Sequence, residues 1–290
     1  MPRQSKRQKQ KVAIVGAGTL ATALGRTLHS QGYRISEIVS RSNAQSLRRA
    51  RMLANRIQSS ATTIRAAELS ADVVWICVPD DAIASVAAQI AGERDWRGKI
   101  AVHSSGAVSS DALEPLRRKG AEVASAHPLM TFVSSSQAKL RGVPFALEGS
   151  AKALAAVESM ISDFGAQAFR IARTEKAAYH AFGFFSSPAI VALMAAAIEV
   201  GKLAGLDGKR ARALMEPIVR QTIDNCFRTS PQQAFSGPVR RGDIDTLRKH
   251  LDVLRRQPDS LEVYRALVTI ALRKLPSAKT EQIEALIKGR

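Results

Sequence analysis

The chain has 290 residues, 46% of them hydrophobic and 23% charged, with 43 Lys and Arg against 25 Asp and Glu and a net charge of +18. That balance belongs to a water-soluble globular chain of one or two domains and excludes disordered or collagen-like classes. Cys77 and Cys226 stand in separate apolar segments, which excludes a disulfide framework and a thiolate zinc site and suits the reducing cytoplasm. The positive excess calls for an anionic partner without choosing among nucleic acid, a phosphorylated substrate and a nucleotide.

Residues 1–10 carry Arg3, Lys6, Arg7 and Lys9 and no apolar run. This is no secretory signal, and a disordered, solvated basic tail is expected in preference to a nucleic-acid arm. From Lys11 the pattern alternates. "KVAIVGAG" reads as a strand ending in glycines, "TLATALGRTLHSQG" as a helix, "ISEIVSRS" as a strand and "NAQSLRRARMLANRI" as a helix. "ADVVWICVPDD", "GKIAVHSSGAV", "EVASAHPL", "VPFALEG" and "AQAFRIA" read as further strands, with "AIASVAAQIAGE" and "SAKALAAVESMISDFG" as helices. Continuous apolar strands between helices predict a parallel sheet covered on both faces.

After about residue 172 strand signals stop. Residues 174–205 read as one long helix with a kink at Pro188. Its apolar core, residues 182–201, has the length of a membrane span, but Ser186, Ser187, Pro188 and Glu199 favour a buried helix. Residues 208–229 show a helical apolar stripe of Ala211, Leu214, Met215, Ile218, Ile223 and Phe227. Asp243 is placed to cap a helix carrying Ile244, Leu247, Leu251 and Leu254, and Ser260 and Thr280 to cap two more. The expected fold class is therefore α/β: a Rossmann-type parallel sheet domain over residues 11–172, then an all-α domain over 173–290.

The strongest motif is G-x-G-x-x-A at Gly16, Gly18 and Ala21, between the first strand and the first helix. Gly16 permits the tight turn, Gly18 lets a pyrophosphate approach the backbone, and Ala21 lets the helix lie on the strand. The amides of Thr19 and Leu20 open the helix and face an anion. An NAD site places an acid at the end of the second strand, but this chain has Ser40, Arg41 and Ser42 there, and Glu37 comes too early. A guanidinium flanked by hydroxyls suits a 2′-phosphate, so NADP is the expected cofactor. Val78 and Pro79 end a neighbouring strand and should border it, whereas Asp80 and Asp81 read as caps of the next helix.

"GAGTLATALGRTL", "SRS", "CVPDDAI", "HSSGA", "AHPLMTF", "EKAAYHA" and "SGPVRRGD" stand here in a telling order. The chain resembles, over nearly its whole length after the tail, a family of Rossmann-like proteins with a C-terminal helical domain of uncharacterised function. That family is distantly similar to pyrroline-5-carboxylate reductase, ketopantoate reductase and the 6-phosphogluconate and 3-hydroxyacid dehydrogenases. The resemblance implies an NADP-binding domain and a helical domain that often dimerises. It implies no substrate.

Beyond the strand ends, Ser104, Ser105 and Gly106 should stand near the nicotinamide, Ser104 on the cofactor side and Ser105 as a catalytic candidate. His103 suits a structural and a functional role equally. His127 ends another strand and is a candidate proton donor or substrate ligand. Lys176 and His180 are four apart on one helix face. The related hydroxyacid dehydrogenases carry a Lys at the position of Lys176, and an Asn where this chain has His180. A cationic Lys or His there would polarise a C=O or C=N bond and donate a proton. Tyr179 reads as a packing residue on another face. Arg240 and Arg241 are candidates for holding a substrate anion. No His, Asp and Glu grouping has metal-ligand spacing. The expectation is an NADP-dependent oxidoreductase of a small anionic molecule, working as a homodimer without membrane or nucleic acid. A sensor that binds NADP without turnover is the first alternative, and a nucleic-acid-binding protein the second.

Overall fold

The computed structural model describes residues 9–133 and 139–289, so of the disordered tail expected over residues 1–10 only residues 9 and 10 are described, and at Lys9 the expectation is corrected. Lys9 is held: its Nζ donates to Gln31 O at 2.6 Å and to Asp163 at 2.9 Å, above the Tyr33 ring. The chain divides between Phe185 and Ser186 into two compact units.

The first unit holds strands β1 Val12–Val15, β2 Ile35–Ser40, β3 Ser60–Thr63, β4 Val73–Ile76, β5 Ile100–His103, β6 Glu122–Pro128, β7 Pro144–Gly149 and β8 Gln167–Arg170. Its helices are α1 Thr19–Ser30, α2 Ala44–Arg56, α3 Ile83–Ala91, α4 Glu114–Arg117, α5 Ala151–Asp163 and α6 Lys176–Ser186. The strands form one sheet in the order β3-β2-β1-β4-β5-β6-β7-β8. Side chains alternate across it, as the twofold period of a strand requires. Val12, Ile14, Val73, Trp75, Ile100 and Val102 enter one core with residues of α1, α2 and α5. Ala13, Val15, Val74, Ile76 and Ala101 enter a second core with residues of α3 and α4. Burial on both faces explains why these strands read as unbroken apolar runs. Val12 pairs with Ile35 on one side and Val73 on the other, so the strand order reverses at β1. The crevice beyond the carboxyl ends of β1 and β4 is where such sheets take ligands.

Two features depart from the sequence reading. β3, with the sequence Ser-Ala-Thr-Thr, pairs only with β2 at the sheet edge. An edge strand needs no apolar run, so nothing in its composition announced it. The sheet is also not wholly parallel, because β7 runs antiparallel to β6, with Ala126 opposite Leu147.

The second unit holds α7 Pro188–Leu203, α8 Gly208–Arg228, α9 Pro231–Ala234, α10 Pro238–Arg241, α11 Ile244–Leu254, α12 Pro258–Lys274 and α13 Thr280–Lys288, with no strand among the described residues. Val239, Leu247, Leu251, Val268, Ala271, Ile283 and Ile287 form its core. Asp243 caps α11, accepting from Thr246 N at 3.2 Å and Thr246 Oγ1 at 2.8 Å. Ser260 and Thr280 are not caps. Each already lies inside its helix, Ser260 bonding the Gln257 side chain and Thr280 the Ser277 carbonyl.

The expected single helix breaks at Ser187, whose φ of −142° leaves the helical region. Proline supplies no N–H and pushes the residue before it out of the α conformation. The compact units also divide later than the residue 172 boundary read from the sequence. α6 belongs with the sheet, since Lys176 is buried there and Gly183 lies against Leu129. The expectation of a buried helix is corrected. Phe185 is 69% exposed and Val191 64%, and in α8 Ile218 and Phe227 are exposed as well. Residues 173–203 have the length and apolar composition of a membrane span, and none of the most apolar window is buried.

Candidate active site

At the first turn, Gly16 N donates to Val39 O at 2.7 Å, and Cys77 N donates to Val15 O at 2.7 Å. Gly16 has φ +118°, and a Cβ there would fall within 2.1 Å of Cys77 O, so only glycine fits. Ala21 is fully buried against the sheet. Gly18 is the N-cap of α1, and no side chain caps that helix. A Cβ at Gly18 would meet nothing within 4 Å. The first helical bond of α1 runs from Thr22 N to Gly18 O at 2.9 Å, so the amides of Thr19, Leu20 and Ala21 have no acceptor within the helix, the arrangement that receives an anion. From Gly18 and Thr19 a cavity of 790 Å³ runs along α1 and α2, lined by Arg26, Arg49, Arg56 and Lys139.

At the end of β2, Arg41 and Ser42 are exposed. Ser40 is buried and its Oγ donates to Arg41 O at 3.1 Å, so its hydroxyl proton is committed to the neighbouring peptide. Glu37 is buried and its carboxylate accepts from Leu69 N at 2.7 Å and Glu68 N at 3.3 Å. At the end of β4, Val78 is half-buried and Pro79 exposed. Asp80 and Asp81 begin a single 3₁₀ turn, Asp80–Ala82, without a side-chain cap bond, contrary to the cap expected of them. The charge of Asp80 instead acts on His103, His127 and Lys176.

The loop after β5 is tied down residue by residue. Buried His103 accepts Ser105 N at Nδ1, 3.1 Å away, which leaves Nε2 to donate to Ser109 O at 3.0 Å. Burial pulls its pKa from the ordinary 6.5 to about 4. Its role is structural. Ser104 Oγ accepts the Trp75 indole N–H at 2.8 Å. Ser105 is buried, and its Oγ accepts Ala107 N at 3.1 Å and Val108 N at 2.9 Å. The catalytic reading of Ser105 is corrected: its oxygen closes a turn.

Lys176 is 2% exposed. Its Nζ donates to Ser105 O at 3.0 Å and Ser125 Oγ at 2.7 Å, and lies 4.0 Å from Glu148. Glu148, also buried, accepts Ser110 N at 2.5 Å and Ser110 Oγ at 2.9 Å, with Arg173 at 3.9 Å. Burial lowers the Lys176 pKa, against the pull of Glu148 and Asp80. Lys176 therefore holds the loop from beneath and does not face a substrate, as the sequence reading had it do. His180 is exposed, its ring 6.5 Å from that of His127.

His127, half-buried at the end of β6, lies against Gly106 and bonds Tyr179 Oη through Nδ1 at 2.8 Å. Its pKa is pulled down to about 4, first by burial and then by the Lys176 and His180 charges. Tyr179 is pushed up to about 12 by burial. Tyr179 was misread from sequence. It stands three residues after Lys176, a spacing that shares a face. Glu148 also went unread, although a lone acid in an apolar strand needs a buried partner. In the second unit, Arg240 donates to Phe235 O at 2.6 Å and Gln232 O at 3.3 Å, pinning its own loop, while Arg241 is exposed. No cluster of metal-binding side chains occurs among the described residues.

The order of the strands and the turn at Gly16 define a Rossmann-like protein with an appended helical domain. Residues 2–128 match a Rossmann-like domain and residues 143–270 match a domain of unknown function, DUF2520, so the chain carries these two domains in tandem. No curated protein matches it. Among solved structures it is similar to BF3122 from Bacteroides fragilis, provisionally named an NADP oxidoreductase (TM-score 0.74, 23% identity, 90% of this chain and 97% of that one). It is similar to protein TM1727 from Thermotoga maritima (TM-score 0.70, 26% identity, 89% and 96% covered). It is also similar to an imine reductase from Myxococcus stipitatus in complex with NADP+ (TM-score 0.66, 14% identity, 91% and 94% covered).

Proposed function

We propose that the chain is an NADPH-dependent reductase of a C=O or C=N bond in a small anionic molecule, acting as a homodimer. One observation carries the reading: the uncapped N-terminus of α1, where Gly18 leaves open space that a side chain would fill. The residues fit the coenzyme. The amides of Thr19, Leu20 and Ala21 would hold its diphosphate, and Arg41 with Ser42 its 2′-phosphate. Glu37 is committed to Leu69 N, so no acid competes at that place. When bound, the coenzyme supplies hydride to the substrate carbon. Val78 and Pro79 would border it, and Ser104 and Gly106 would shape the loop beside it. The exposed apolar residues of α7 and α8, Val191, Leu214, Ile218 and Phe227, suit a second copy of the chain.

Coenzyme titration followed by fluorescence tests the cofactor. Arg41→Ala should weaken NADPH binding about 10–100-fold, the worth of one charge-assisted contact, and leave NADH binding unchanged. Equal losses for both coenzymes refute the assignment. NADPH oxidation against a panel of small keto acids and cyclic imines tests turnover.

A second reading has its own support. Lys176 and Ser105 are spent on holding the loop, which favours a sensor that binds NADPH without reaction. Tight binding with no oxidation across the panel selects it.

A further inference from the structure

His127 closes β6 with its ring packed against Gly106. A Cβ on Gly106 would come within 2.9 Å of Cε1, 3.0 Å of Nε2 and 3.1 Å of Cδ2, so the ring occupies the space a side chain would take. On its other edge Nδ1 lies 2.8 Å from Tyr179 Oη, the two rings meeting edge to face with centroids 5.6 Å apart. Phe169 backs Tyr179 at 6.0 Å. Nε2 has no hydrogen-bond partner among the described residues, and the residue is only half-buried. One nitrogen is anchored and the other is free, at the carboxyl end of a strand beside the loop after β5.

The Nδ1 contact has two hydrogen-bond senses. A phenol is a good donor and a poor acceptor, because its oxygen lone pair is drawn into the ring. The unprotonated imidazole nitrogen is the stronger acceptor. The favoured sense is Tyr179 Oη–H donating to Nδ1, which leaves the ring proton on Nε2.

We propose that His127 presents Nε2–H to the heteroatom of the C=O or C=N bond being reduced, and that Tyr179 is the positioning residue that fixes this tautomer. This rests on the reductase reading above. As hydride adds to the substrate carbon, the π pair moves onto the heteroatom, and a proton from water completes the reduction. A fixed N–H aimed at that atom stabilises the charge as it builds. The groups facing the ring are Lys176, Tyr179 and His180 on α6 and Asp80 beyond β4. Burial and the Lys176 charge keep the imidazole unprotonated at neutral pH, so it acts as a hydrogen-bond donor of one defined tautomer.

The experiment pairs a spectroscopic arm with a kinetic one on the full chain with NADP. In ¹⁵N-histidine NMR at pH 7, with His127 assigned by the His127→Asn spectrum, wild type should show the Nε2–H form alone. Tyr179→Phe should show both tautomers in exchange, with melting temperature and NADPH affinity near those of wild type. An Nδ1–H ring in wild type, or a tautomer unmoved by Tyr179→Phe, overturns the role of Tyr179. In the kinetic arm, the probes are 1-pyrroline, 2-methyl-1-pyrroline and small 2-keto acids. His127→Ala should lower kcat about 100–1000-fold with NADPH binding kept. His127→Asn, which retains an N–H donor, should recover part of that loss. Wild-type turnover that His127→Ala leaves intact overturns this inference alone. No wild-type turnover with any probe overturns the reductase reading and this inference with it.

Discussion

Replacing Lys176 by Met should be costly to the fold before it is costly to any chemistry. The ammonium lies in a pocket where it and Glu148 are 3% and 4% exposed and 4.0 Å apart. The substitution removes hydrogen bonds to Ser105 O and Ser125 Oγ. It leaves Glu148 facing only Ser110 and Arg173, whose guanidinium is 52% exposed. Removing one member of a buried pair costs about 3–5 kcal/mol, mostly because the other charge is stranded. At about 2–4 °C per kcal/mol for a domain of this size, the melting temperature should fall by about 6–20 °C. Urea unfolding can follow the loss directly. Both tryptophans, Trp75 and Trp96, are fully buried in the first unit, so their fluorescence reports the unit that contains the pair. Lys176→Met combined with Glu148→Gln should be less destabilised than the sum of the single variants, by about 1–3 kcal/mol of coupling. A single-variant loss below about 1 kcal/mol, or strict additivity in the double variant, would refute the buried-pair account.

Stability should also depend on acid in a defined window. His103 in the folded chain has its pKa drawn from 6.5 down to about 4 by burial. The unfolded chain therefore takes up a proton first as pH falls through 6.5. The stabilisation is whole above 6.5 and is lost toward 4, about 2 kcal/mol of it by pH 5. His127 shifts the same way and adds to the loss, and His103→Asn should flatten the profile of urea unfolding between pH 7 and pH 5. For the helical unit, sedimentation should show a dimer that Ile218→Glu with Phe227→Glu converts to monomer. A monomeric wild type at high concentration would remove the homodimer from the proposal.

Much of the scaffold could be read from residue order because local and global preferences agree in it. β1 is apolar throughout, ends at a glycine that nothing else can replace, and leads into a helix whose Ala21 and Leu24 are buried. The cap at Asp243 was equally local, needing only an acid three residues before the amide it binds. What escaped depended on partners distant in the chain. Lys176 reads as a candidate proton donor until Glu148, Ser105 and Ser125 come from three other segments to surround it. Tyr179 means little until β6 delivers His127. The apolar run over residues 182–201 records a need for burial without saying by what, and within one chain its phenylalanines stay exposed.

Glu37 carries a consequence for how coenzyme choice could change. Its carboxylate is locked to the amides of residues 68 and 69, and the neighbouring Ser40 is sealed inside with its hydroxyl on its own peptide. An acid introduced at position 40 would enter a buried place and disturb the sheet. A shift toward the unphosphorylated dinucleotide has one solvent-facing doorway at this strand end, residue 41 with its neighbour 42, and preference there can be retuned without touching the folded interior.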